Sequence, residues 1–166
     1  PGTLDARAAA ILASTGPVAE KVALLRALRD TAAPSTLHWL DVALHASSNA
    51  PDARAHLLPN FALEQMTELA VSDERARGSL QRIAFDSTEL ALELRRRAVA
   101  AYAAVCAPEQ LNDLSAQLWR ERDELSLAGA LSALASRPDE PRVQSVLDAH
   151  HYTRSETSLD EAQSSN

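Results

Sequence analysis

Pro108-Glu109-Gln110-Leu111-Asn112-Asp113-Leu114-Ser115-Ala116-Gln117-Leu118 repeats a pattern already present at Pro34-Ser35-Thr36-Leu37-His38-Trp39-Leu40-Asp41-Val42-Ala43-Leu44. Both stretches read Pro-x-x-Leu-x-x-Leu-x-x-x-Leu, and they stand 74 residues apart. Leucines spaced by three and four form one stripe on a helix. Proline suits the position that opens a helix, because the N–H it lacks has no intrahelical partner there. The residues ahead of each copy match as well, with Ala27-Leu28 standing where Ala101-Tyr102 stands. A helix end, a Pro-led turn and a second helix thus recur as a block. Half of its period is 37 residues, a length typical of helix pairs that stack into solenoids.

Outward from these copies the chain divides into further helices. Residues 4–14 read as the first, closed by Thr15-Gly16-Pro17, and 18–30 as the second. Residues 36–46 follow. Pro51 and Pro59 then predict a turn over 52–58, a break or kink at Pro59 and a helix over 60–71. Ser72-Asp73 caps a helix over 73–86, and Ser87-Thr88 caps what reads as the longest one, 89–106. On that helix Leu90, Leu94, Ala98, Ala101 and Val105 share a face, with Glu93, Arg96, Arg97 and Ala100 on the other side. Residues 108–121 and 123–136 form the next pair, 138–141 a turn, and 142–150 a last half-unit. First members of the pairs start near 4, 36, 73, 108 and 141, giving spacings of 32, 37, 35 and 33. The expected organisation is one helical domain over 4–150 and a disordered polar tail over 151–166.

Composition fits an all-α chain of this kind. Apolar residues make up 46% but aromatics only 4%, so the core must rely on close contacts between leucine and alanine. The net charge of −7 gives no global support to phosphate neutralisation, which argues against nucleic acid as the partner. Cys106 is the single cysteine, too few for a disulfide or a cysteine-rich metal site, and its place near a helix end marks it as a small core residue. No apolar run approaches the roughly 20 residues of a membrane span. The chain opens Pro-Gly and its one methionine is Met66, so it reads as part of a longer translation product. Localisation stays open between the cytoplasm and export after loss of a targeting segment. Oligomeric state is equally open.

The residues that repeat resemble HEAT repeats, the helical hairpins of the armadillo-type superhelix. The second helix of that family often reads Asp-x-x-Val-Arg-x-x-Ala-x-x-Ala-Leu. Here Leu94-Arg95, Ala98 and Ala101-Tyr102 follow it, with Ala91 in the aspartate's place. Asp123, Ala130 and Ala133-Leu134 follow it too, with Ser126-Leu127 replacing Val-Arg, and Asp73 and Arg77 keep its charged pair. The resemblance implies an all-α, right-handed α-α superhelix of about four and a half hairpins, whose second helices line a concave face. It also implies a non-enzymatic scaffold that offers this face to a protein or peptide, with no cofactor. Di-iron hydroxylases of the same fold need His-Glu dipeptides on successive repeats, and this chain contains none.

Two rival readings come from other classes. A nucleic-acid-binding or base-repair solenoid needs a basic concave channel, which the −7 charge disfavours. A metal-dependent enzyme would centre on His38, Asp41 and His45, which at i, i+3 and i+7 share one helical stripe with ligand-type side chains. The plainer reading of that stripe is a solvated edge on which Asp41 pairs a histidine. His150 and His151 read as surface residues, and Trp39 and Trp119 as core or inter-repeat packing. For a partner, the face of residues 89–106 is favoured, through Glu93, Arg96, Arg97 and Ala100, where small residues lie between charges. Arg95 is placed at the core edge, paired with a neighbouring repeat.

Overall fold

The computed structural model describes residues 2–46, 56–138 and 140–152. Among the described residues there are nine α-helices and no strand. They are α1 (Gly2–Ala13), α2 (Val18–Asp30), α3 (Thr36–His45), α4 (Leu57–Ala70), α5 (Glu74–Phe85), α6 (Leu92–Val105), α7 (Leu111–Arg120), α8 (Glu124–Ala135) and α9 (Pro141–Ala149).

Both Pro-led copies form helices with their leucine stripes inward. Leu40 and Leu44 of α3, and Leu111, Leu114 and Leu118 of α7, are buried. Each proline lies a turn ahead of its helix. Pro34 and Ser35 form a turn, and Pro108–Gln110 a single 3-10 turn. Asp73 and Asp123 end extended approaches and cap α5 and α8, accepting from the backbone N–H of Arg75 at 2.9 Å and of Ser126 at 2.8 Å.

Two helix starts differ from expectation. α4 begins at Leu57, so Pro59 is its third residue and neither breaks nor kinks it. First-turn N–H groups have no intrahelical acceptor, and proline there removes no bond. α6 begins at Leu92, not 89, with Ala91 in the capping position. Leu90 packs on the core from the preceding bend, which holds that segment out of the helix. α6 is therefore no longer than α4, at 14 residues each. At the C-terminus Tyr152 is half-buried against the core and its N–H donates to Leu147 O at 2.9 Å, so contact with the core continues past residue 150. Of the expected turn over 52–58, Leu57 and Leu58 already belong to α4, and residues 52–55 lie outside the described residues, as do residues 153–166 of the expected 151–166 tail.

Sequential helices up to α6 pack on one another, α1 on α2, α3 on α4 and α5 on α6, but α7 and α8, expected as a pair, make no comparable contact: α7 packs on α9 and α8 on α6. A second set of contacts joins alternate helices: α2 to α4, α4 to α6 and α6 to α8, with α1 on α3 and α7 on α9. One hydrophobic cluster runs from Ala8 in α1 to Leu147 in α9. The α6–α8 contact is the most extensive, because small residues face each other there. A Cβ added to Gly129 would sit 3.6 Å from that of Ala100, and Ala98 and Ala130 are fully buried. With so few aromatics, such close approach supplies the dispersion contacts that large side chains give elsewhere.

Cationic side chains close the helix ends. Lys21 donates to Leu12 O (3.2 Å) and Ser14 O (2.6 Å) after α1, Arg77 to Ala70 O (3.0 Å) in α4, and Arg137 to Ala103 O (3.2 Å) in α6. A positive charge at a helix C-terminus satisfies orphan carbonyls and complements the macrodipole. No helix among the described residues is long and apolar enough to cross a membrane.

Candidate interaction surface

Along α2, α4, α6 and α8, charged side chains reach from helix to helix over the apolar contacts. Arg29 of α2 bonds Gln65 and, at 3.2 Å, Glu68 of α4, while Arg26 lies over the Phe61 ring at 5.2 Å. Arg97 of α6 bonds Asn60 and lies 3.7 Å from Glu64, both on α4. Arg96 grips Asp123 bidentately, Nε to Oδ2 at 2.9 Å and Nη2 to Oδ1 at 2.8 Å. That fork holds the Asp123 carboxyl far below its ordinary range, assisted by the Ser126 hydroxyl, and pushes the Arg96 guanidinium up. Beside it, Arg95 pairs with Glu121, whose side chain is only 4% exposed and also accepts from Asp123 N at 2.9 Å.

The four residues favoured from sequence for a partner thus have unequal surroundings. Glu93 is exposed at the start of α6, 3.5 Å from Arg96. Arg96 is not a free donor, since its Nε and Nη2 donate to Asp123 and its Nη1 to Glu93. Ala100 does not face away from the molecule, because it is half-buried in the α6–α8 contact against Gly129. Arg97 keeps an exposed head at the rim of a groove of about 270 Å³ between α4 and α6. Leu63, Thr67 and Ala101 line that groove with Glu64 and Glu68, and sequence reasoning missed all five. Residues 63, 64, 67 and 68 share one helical face by their spacing, but which neighbouring helix that face meets is set by tertiary packing that the sequence does not display.

His38, Asp41 and His45 are not assembled into a ligand set. His38 turns its ring edge to Trp39, at 4.7 Å between centroids. His45 Nδ1 lies 2.8 Å from Asp41 O, and the Asp41 carboxylate lies 3.6 Å from Arg82 of α5. Among the described residues no three His, Cys, Asp or Glu side chains converge as a metal site would require. Asp41 and His45 line a second groove, between α3 and α5, with Arg82 and Asp86.

The two tryptophans part company. Trp39 is buried, and its Nε1 donates to Asp5 Oδ1 of α1 at 2.9 Å, beside the Ser35 hydroxyl at 2.6 Å. Those two donors lower the Asp5 carboxyl below its usual value. Trp119, expected in packing, is 63% exposed and stacks on His150 with centroids 4.5 Å apart. The repeat explains the difference: 74 residues before Trp119 stands His45, on the outer side of α3. His150 accordingly is no free surface residue, and burial lowers its pKa. Cys106 is buried as expected; burial pushes its thiol up, with Arg137 at 3.3 Å.

Comparison with protein-family models, with curated proteins and with solved structures returned no match to this chain.

Proposed function

We propose that the chain is a non-enzymatic interaction module, a right-handed HEAT-like solenoid whose second helices α2, α4, α6 and α8 line a concave face for a protein or peptide. The observation that carries this is the open groove between α4 and α6. It has an apolar floor, Leu63 and Ala101, and charges of both signs on its rim, Glu64, Glu68 and Arg97. Such a floor takes an apolar side chain of a bound segment while the rim fixes its direction through charge-assisted hydrogen bonds. The alternation of contacts, α2 to α4 to α6 to α8, supports the solenoid reading, because stacked hairpins bring like members side by side. The net charge of −7 weighs against a nucleic-acid channel, and the dispersed surroundings of His38, Asp41 and His45 weigh against a metal-dependent enzyme.

A photo-cross-linking amino acid at Thr67, in the groove, or at Glu74, exposed on α5, tests the reading with peptides selected for binding to the whole chain. Cross-links should form from Thr67 and not from Glu74. Arg97→Glu should weaken binding by about tenfold, the scale of one lost charge-assisted contact, with the helical spectrum unchanged. Equal cross-linking from both positions, or unchanged binding by the folded variant, would place the surface elsewhere.

A further inference from the structure

The turn between α7 and α8 gathers side chains that neither the core nor the cross-helix ion pairs use. Trp119 and Leu125 are 63% and 62% exposed, and Arg120 and Arg122 between them are exposed. Among the described residues neither arginine has an ion-pair partner. Glu121 and Asp123 of the same turn are neutralised by Arg95 and Arg96, so with exposed Glu124 the turn keeps a positive balance in a chain of net −7. An exposed tryptophan flanked by arginines presents the residue types that dominate binding energy at interfaces, and exposed Leu125 extends its apolar surface.

The chain itself delivers a complementary segment to this place. His150, at the end of α9, covers one side of the Trp119 ring. Two residues later Tyr152, the last described residue, is fastened by its N–H to Leu147 O, so the tether to residues 153–166 begins two residues from the tryptophan's stacking partner. They read Thr-Arg-Ser-Glu-Thr-Ser-Leu-Asp-Glu-Ala-Gln-Ser-Ser-Asn, with Leu159 among Glu156, Asp160 and Glu161. Seven residues separate Leu159 from Tyr152, a reach of up to about 24 Å for an extended chain. A tether of this length holds the segment at an effective concentration on the order of millimolar, enough to populate a contact too weak to form between separate molecules. We propose that residues 156–161 dock on Trp119, Arg120, Arg122 and Leu125, Leu159 meeting the two apolar side chains and the carboxylates the two guanidinium groups. The chain thereby covers its own most interface-like patch, which is distinct from the groove between α4 and α6.

The chain has two tryptophans, and Trp39 is buried and hydrogen-bonded to Asp5, so its indole N–H resonance serves as an internal reference. In the full chain, Leu159→Asp should raise acrylamide quenching of Trp119 by about twofold, as expected when a half-populated or better contact is released. It should also move the Trp119 indole resonance and leave that of Trp39 in place. Arg120→Glu/Arg122→Glu should do the same. Adding Glu156→Lys, Asp160→Lys and Glu161→Lys to that variant should restore protection. Wild-type quenching and an unmoved Trp119 resonance in Leu159→Asp overturn the proposal. Protection that disappears on dilution overturns it too, because the occupant would then be a second copy of the chain.

Discussion

Tyr102 is fully buried, edge-on to Phe85 at 6.0 Å, yet among the described residues its hydroxyl has no hydrogen-bond partner. Burial pushes its pKa up, so the group stays protonated and costs desolvation without compensation. Tyr102→Phe should therefore leave stability unchanged or raise it by up to about 1 kcal/mol in urea unfolding, contrary to the usual loss at a filled core position. Leucine stripes behave in the ordinary way. Leu40, Leu94 and Leu114 are buried between layers, and Leu→Ala at each should cost about 2–5 kcal/mol in the same measurement. Asp123 adds a pH signature. Its folded pKa lies below that of the unfolded chain, so its interaction with Arg96 stabilises the fold above the ordinary carboxylate pKa of about 3.9 and is lost as pH falls through the folded value. Asp123→Asn keeps a capping side chain but no charge. Its Tm should be lower near neutrality, and its decline below about pH 4 should be shallower than that of the wild type. Much of this was legible in sequence, the inward leucines and the pairing of Arg95 with the next unit; the capping role of Asp123 was not. The exposure of Trp119 was legible too, through its register with His45, but its stack on His150 was not, since nothing local joins α7 to α9.

At the level of the helix, α2 occupies the same residues, 18–30, that its glycine and proline punctuation indicates. The misplaced starts of α4 and α6 have different causes. Proline in a first turn reads like a break unless the residues before it are known to be helical, and Leu90 is drawn to the core by tertiary packing that no cap signal reveals. The groove owes nothing to either error, because Leu63, Glu64, Thr67 and Glu68 lie within the expected 60–71 helix; what sequence lacked was the pairing of that face with α6. Two glycines within helices give a separate test of how tightly the elements approach. Nothing lies within 4 Å of a Cβ added to Gly78 of α5, whereas one on Gly129 of α8 would meet Ala100 at an ordinary contact distance of 3.6 Å. Alanine at either site should stabilise by up to about 1 kcal/mol, through helix propensity alone at Gly78 and with added packing at Gly129. Thermal melts of Gly78→Ala and Gly129→Ala check this. A larger residue separates them: Gly78→Leu should be tolerated, and Gly129→Leu should lower Tm by forcing α6 and α8 apart.

Across the whole molecule the contacts are short-range in one direction. α6 is enclosed by α4, α5 and α8, while α1 touches α2 and α3 and α9 touches α7 and α8. In a stacked architecture, local stability is set by how many neighbouring faces an element shares, so the ends open more readily than the middle. The core composition strengthens the gradient. Ala98, Val99, Tyr102 and Ala103 of α6 are all fully buried, whereas α1 contributes only Ala8 and Leu12 to the core. Opening α1 requires release of the Asp5 contacts to Ser35 and Trp39 and the separation of two helices. Opening α6 requires dismantling the ion pairs of Arg95, Arg96 and Arg97 together with the α6–α8 contact. Native-state hydrogen exchange should therefore show amides of α4 and α6, which share the most extensive faces with their neighbours, exchanging most slowly and those of α1 and α9 fastest. Low denaturant should accelerate α1 and α9 before the centre. If instead all nine described helices exchange with a single opening free energy, the molecule unfolds as one closed unit, and the stacked arrangement proposed for the binding face is the wrong description.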